Sequence, residues 1–178
     1  GGPLKELDRH DEAVAAFGRA LTLLEKMLAL LAHEAVNAGI EVLGGNGAIE
    51  SFSILPRLLR DNVVYENWEG THNVLRAQVL RDCARFGVHA GFFDALASRL
   101  GESAVAADRA EMDRVLSTES DLAALRFKRL ATRMAVLMMQ AAMKPVPALA
   151  DHSKMLGRHL SAMELDEAYL ALLDRLQR

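Results

Sequence analysis

Apolar residues recur every three or four positions from Val14 to Leu43, and no other feature of the chain restricts its fold so strongly. Val14, Phe17, Leu21, Leu24, Leu28 and Leu31 would share one face of an α-helix, and Val36, Ile40 and Leu43 carry an apolar side onward. Asp8, Asp11 and Glu12 put carboxylates where the orphan amides and positive dipole end of a starting helix favour them. Gly44 and Gly45 supply the stop. The spacing predicts one long helix from about 8 to 43, with Gly18 and Gly39 as points where it bends. Such a helix must bury its apolar face against other helices.

Past the glycine pair, "GGNGAIES" reads as a loop, because three glycines in four residues permit backbone paths closed to other side chains. A short helical turn is expected over about 56–61. Thr71 then caps a helix to about Phe86, with Leu75, Val79 and Cys83 inward. Beyond Gly87 the pattern is helical again over roughly 88–100, 104–116, 119–143, 148–160 and 162–177. Gly101 ends one of these helices and Ser117-Thr118 caps the next. Pro145 and Pro147 mark a loop, and Ser161 with Glu164 resembles a capping box. No segment alternates as a strand would, and no internal repeat is present. The expectation is an all-α, up-and-down helical bundle.

Composition narrows the function classes. The 178 residues, 51% hydrophobic and 25% charged, suit a globular chain with a sizeable core, and a net charge of -3 offers no general attraction for nucleic acid. The single cysteine, Cys83, cannot form an internal disulfide, so a reducing, cytoplasmic compartment is expected. Apolar runs such as "MAVLMMQAAM" fall short of a membrane span. The opening "GGPLKEL" lacks an initiating Met, which suggests part of a longer protein.

One segment carries chemistry. "EVLGGNGAIESFSILPRLLRDNVVYENWEGTHNVLRAQVLRD", residues 41–82, resembles the signature region of the C-terminal helical domain of flavin-dependent acyl-CoA dehydrogenases. Three motifs stand in the family's order: the glycine loop Leu43 to Gly47, the turn Arg57 to Asp61, and Trp68-Glu69-Gly70-Thr71. The later tail resembles that of the family's alkylation-response branch. The resemblance implies the C-terminal helical domain over residues 1–87 and a helical extension packing on it over 88–178. It also implies an FAD cofactor, an acyl-CoA substrate and a homo-oligomer. The family's N-terminal helical domain and β-domain would lie in the rest of the same polypeptide; the electron acceptor stays unidentified.

By the same resemblance Glu69 is the base that takes the proton alpha to the thioester. Spacing alone would make it negative charge near a helix N-terminus. Gly44 and Gly45 would approach the FAD diphosphate, Thr71 and Asn73 would contact the flavin, and Gly70 and Arg81 would face substrate. The ordinary readings are a helix stop for the glycine pair, a cap for Thr71 and a solvated arginine for Arg81. Glu66 is expected at the surface or in support. Glu41 replaces a flavin-contacting Gln of many relatives, which puts that contact in doubt. Arg57 and Arg60 are expected to pair with Asp61 or to cap helix ends.

His33, His152 and His159 lack metal-ligand spacing, so no metal site is expected; His72 merely neighbours the presumed site. Arg126, Arg129 and Arg133 share a helix face that phosphate could meet. Residues 88–178 nevertheless balance twelve Lys and Arg against twelve Asp and Glu, so nucleic acid is not the expected partner. Met134, Met138, Met139 and Met143 read as pliable packing. The alternative to the enzyme is a helical interaction or DNA-associated module whose catalysis has lapsed.

Overall fold

A computed structural model describes residues 3–68, 70–160 and 175. Among these the fold is all-α: α1 (Pro3–Leu43), α2 (Leu55–Asn67), α3 (His72–Phe86), α4 (Val88–Leu100), α5 (Glu102–Leu116), α6 (Ser120–Met143) and α7 (Ala150–Leu160), with 3-10 turns at Gly44–Ala48 and Pro147–Leu149. The chain divides into two compact units, residues 1–82 and 83–178. The helix expected over 162–177 and the Ser161/Glu164 capping box lie outside the described residues.

In the first unit α1 begins at Pro3, earlier than the carboxylates suggest, because proline is tolerated in the first helical turn and Lys5, Glu6 and Leu7 all suit a helix. It stays helical through Gly18 and Gly39. Its inward face matches the expected one only in part: Leu24 is buried and Leu28, Leu31, Val36 and Ile40 are half-buried. Ala16, Leu23, Leu24, Met27 and Ala29 are buried, whereas Val14, Phe17 and Leu21 are exposed. Periodicity identifies an apolar stripe, but the neighbouring helices decide which part of it is covered.

The glycine loop is a 3-10 turn folded back on the end of α1. Gly47 is its sterically demanding position: a Cβ there would come within 2.6 Å of the Ile40 carbonyl oxygen. Contrary to the short turn expected over 56–61, α2 runs on to Asn67. Buried Asn62 explains the extension, since its Nδ2 donates to the Ala29 carbonyl of α1 at 2.8 Å and ties the second half of α2 down. Leu75, Val79 and Cys83 of α3 are buried.

In the second unit α6 packs against α4, α5 and α7. Phe93, Val105, Met112, Val115, Phe127, Leu130 and Ala135 are each no more than 1% exposed and form its core. Met134 is buried, while Met138, Met139 and Met143 are half-buried. Asp108, 3% exposed, accepts both Arg133 Nε at 2.5 Å and Arg133 Nη2 at 3.0 Å. Ser117 and Thr118 do not cap α6. Both hydroxyls donate back to the Arg114 carbonyl, at 3.0 and 2.5 Å, and so close the C-terminus of α5. The preceding helix reaches them first because its last carbonyls lie within one turn.

Candidate functional site

The turn between α2 and α3 is built from the end of "YENWEGTHN". Tyr65, Glu66 and Asn67 complete the last turn of α2, and Trp68 leaves it in an extended conformation (φ -61°, ψ 141°). Gly70 has φ 106°, a conformation that an L side chain rarely adopts, so glycine is required for the chain to reach α3 here. Thr71 stands at the cap position, its carbonyl accepting the Leu75 amide at 3.1 Å. Glu69, the expected base, lies outside the described residues. Trp68, Gly70, Thr71 and Asn73 are exposed.

The turn is fastened to α1 by several polar contacts. Glu66 is not a surface residue: its side chain is 17% exposed, with His33 Nδ1 2.6 Å and Asn62 Nδ2 2.7 Å from Oε1. Lys26, 4% exposed, donates to the carbonyls of Glu66 at 3.3 Å and Gly70 at 2.5 Å. His72 Nε2 lies 3.3 Å from the Lys26 carbonyl. Burial pushes the His72 imidazole below its ordinary pKa. The bond to the Lys26 carbonyl opposes this shift, and the charges of Arg76 and Lys26 add to it. The balance favours the neutral imidazole.

Arg76 belongs to this cluster, although sequence reasoning singled out Arg81 instead. Arg76 is 8% exposed, donates to Asn73 Oδ1 at 3.2 Å and Met27 Sδ at 3.3 Å, and leaves its Nε without a partner. Desolvation lowers its pKa. Arg81 is exposed. The available signal was helical phase: Arg76 follows Leu75 and precedes Val79 by three, on the inward side of α3, whereas Arg81 does not share that side. Lys26 gave no such signal, because a lysine among leucines reads as a solvent-facing residue.

Beside the turn, Thr22, Glu25, Lys26, Tyr65 and Trp68 line a depression of about 300 Å³, at the lower end of ligand-sized pockets. Gly44 and Gly45 are exposed, with nothing within 4 Å of a Cβ built at either. The structure does not bring them to the turn. Gly44 follows Lys26 by eighteen residues, just past the end of α1, roughly 27 Å at 1.5 Å per residue. Arg57 pairs with Asp61 at 3.6 Å on the surface, whereas Arg60 pairs with Glu50.

In the second unit Arg126 and Arg129 are exposed and Arg133 is half-buried. They line a depression with Arg114, and Asp108 and Glu111 line the same space. Arg133 is engaged by Asp108, Arg114 by Glu111, and Arg126 donates to Thr118 Oγ1 at 3.3 Å. Among the described residues no group of three His, Cys, Asp or Glu could hold a metal ion, and no helix is long and apolar enough to cross a membrane.

Residues 5–84 match the family model of the acyl-CoA dehydrogenase C-terminal domain. Acyl-CoA dehydrogenase family member 11 of Caenorhabditis elegans is 42% identical over 79 residues, which are 44% of this chain and 13% of that protein. The chain thus spans a small part of that relative's length. No solved structure matches it.

Proposed function

We propose that this chain, whose residues 5–84 belong to the C-terminal domain family of the acyl-CoA dehydrogenases, supplies the catalytic base and part of the FAD site of an oxidoreductase acting on acyl-CoA thioesters. The observation that carries the reading is the Trp68–Thr71 turn. It lies inside the matched segment and is tied to buried Lys26 at Gly70 and, one turn before, at Glu66. In this reading Glu69 takes the proton from the carbon alpha to the thioester, and its backbone N–H donates to the thioester carbonyl. A carboxylate is a weak base for such a proton, so it must act in a site that excludes water and stabilises the negative charge developing on the carbonyl.

The residues present fit an FAD partner. Gly44, Gly45, Thr71 and Asn73 are exposed, with open space at the glycines, and Glu41 is exposed, so its carboxylate can face solvent rather than a diphosphate. When bound, FAD supplies the acceptor for the hydride that leaves the beta carbon. Gly44 lies roughly 27 Å along α1 from Lys26, longer than the ribityl link between flavin and diphosphate, so in this reading the glycine pair and the turn contact different copies of the cofactor. Gly70 and Arg81 would face substrate.

Large apolar residues left exposed along residues 14–74, among them Phe17, Phe52, Ile54 and Trp68, suit a segment covered by the rest of a longer polypeptide and by further copies in a homo-oligomer. Residues 88–178 are then its helical extension, and the lone, buried Cys83 fits a cytoplasmic setting. The test uses the full-length protein. Anaerobic acyl-CoA should bleach its flavin absorbance, and Glu69→Gln should slow bleaching by about 10²–10⁴-fold with FAD still bound. Bleaching at the normal rate in that variant would refute the role.

A further inference from the structure

Lys26 raises a question that fold stability does not answer. Lys26 is buried on α1, and among the described residues its ammonium donates to backbone carbonyls rather than to a carboxylate. Burying a charge against neutral groups is unfavourable beside burying an apolar side chain of similar length. A methionine would fill the same space without that penalty. The compensation available is local. Glu66 lies in the last turn of α2, where orphan carbonyls and the negative end of the helix dipole attract a cation.

The placement of the contacts is more telling than their strength. Lys26 Nζ meets the carbonyl of residue 66, before position 69, and that of residue 70, after it, while the Lys26 carbonyl lies 3.3 Å from His72 Nε2. The upstream anchor is itself fixed, because the Glu66 side chain is held by His33 and Asn62. The downstream anchor, Gly70, has no side chain to hold it, and its backbone contact with Lys26 takes over that task. We infer that Lys26 is a positioning residue for the reaction: it brackets the backbone on both sides of position 69 and thereby sets where the Glu69 carboxylate stands relative to substrate. This rests on the reading of Glu69 as the base.

The test compares Lys26→Met, Lys26→Arg and Glu69→Gln in the full-length protein. Lys26→Met should lower kcat by about tenfold to a hundredfold, the loss expected when a catalytic group is displaced by an ångström or so. KM should stay within about twofold and FAD content should be unchanged. Deuterium exchange should accelerate at the backbone amides of residues 69–73 and not across α4 to α6. Unchanged kcat, or faster exchange spread evenly over the whole protein, would overturn the inference. Should Lys26→Met fail to fold, Lys26→Arg decides. It keeps the charge but cannot place one nitrogen between both carbonyls, so the same kcat loss supports the bracket and full activity overturns it. Glu69→Gln separates the two ideas: if that variant bleaches flavin normally, the assignment of the base fails, while the exchange data still report whether Lys26 holds the turn.

Discussion

Phe17 of α1 and Phe127 of α6 both lie on long amphipathic helices, yet Phe17 is 42% exposed and Phe127 only 1%. The difference follows from helix lengths. The 41 residues of α1 extend about 60 Å, more than the 13 of α2 and the 15 of α3 that meet it can cover on every side, whereas the 24 residues of α6 have α4, α5 and α7 against them. Each unit pairs a buried aspartate with an arginine, Asp82 with Arg19 at 2.7 Å and Asp108 with Arg133, but Lys26 is handled differently. The arginine on Asp108 is bidentate; Lys26, in the first unit, is held by carbonyls that flank the candidate base. A core that closes on itself and a helix face awaiting cover thus sit in one chain.

The largest effect should separate the two phenylalanines. Phe127→Ala is expected to cost about 3–5 kcal/mol in urea unfolding of this chain, through lost burial and the cavity left behind. Phe17→Ala should stay within about 0.5 kcal/mol, as surface changes do. Equal losses at both sites would break the comparison.

Next is Arg133→Met, which strands Asp108 without its partner. About 3 kcal/mol should be lost by the same measurement, and the double variant with Asp108→Leu should recover most of it, because an apolar pair does not need the charges. Failure of the double variant to recover would mean that the pair is more than structural.

The smallest effect is a pH dependence shared by the units. Desolvation pushes both His72 and His89 below their ordinary pKa of 6.5. Near His72 the charges of Arg76 and Lys26 act in the same direction, opposed by Glu66. His89 is opposed by Asp113 and by its bond to the Cys83 backbone. The unfolded chain takes up these protons near 6.5 and the folded chain only at lower pH. Stability present above 6.5 should therefore fall as pH drops through 6.5 toward the folded values. Thermal unfolding across this window should show the decline, and His72→Gln and His89→Gln should each flatten it. A flat profile in the parent chain would contradict the lowered values.

Most element positions were readable beforehand, since the signals were local. Gly44, Gly87 and Gly101 punctuate the helices where the pattern breaks, and Leu75, Val79 and Cys83 of α3 point inward as their spacing requires. What escaped prediction depended on distant partners. The length of α2 rests on Asn62 reaching Ala29, thirty-three residues away, and Glu66 is withdrawn from the surface by His33, also thirty-three residues away. Ser117 and Thr118 could have capped either neighbouring helix, and the three-dimensional course of the chain selected α5.

The order of apolar and polar residues determined by itself that this chain is helical, where the glycines stop its helices, and that a Gly-Thr turn opens α3. Only tertiary structure decided which flank of α1 is covered, that Arg76 rather than Arg81 is buried beside the turn, and that Lys26 reaches the carbonyls around position 69. Periodicity records which side chains share a face. Burial and polar pairing depend on which remote segment arrives against that face, and no local spacing encodes that.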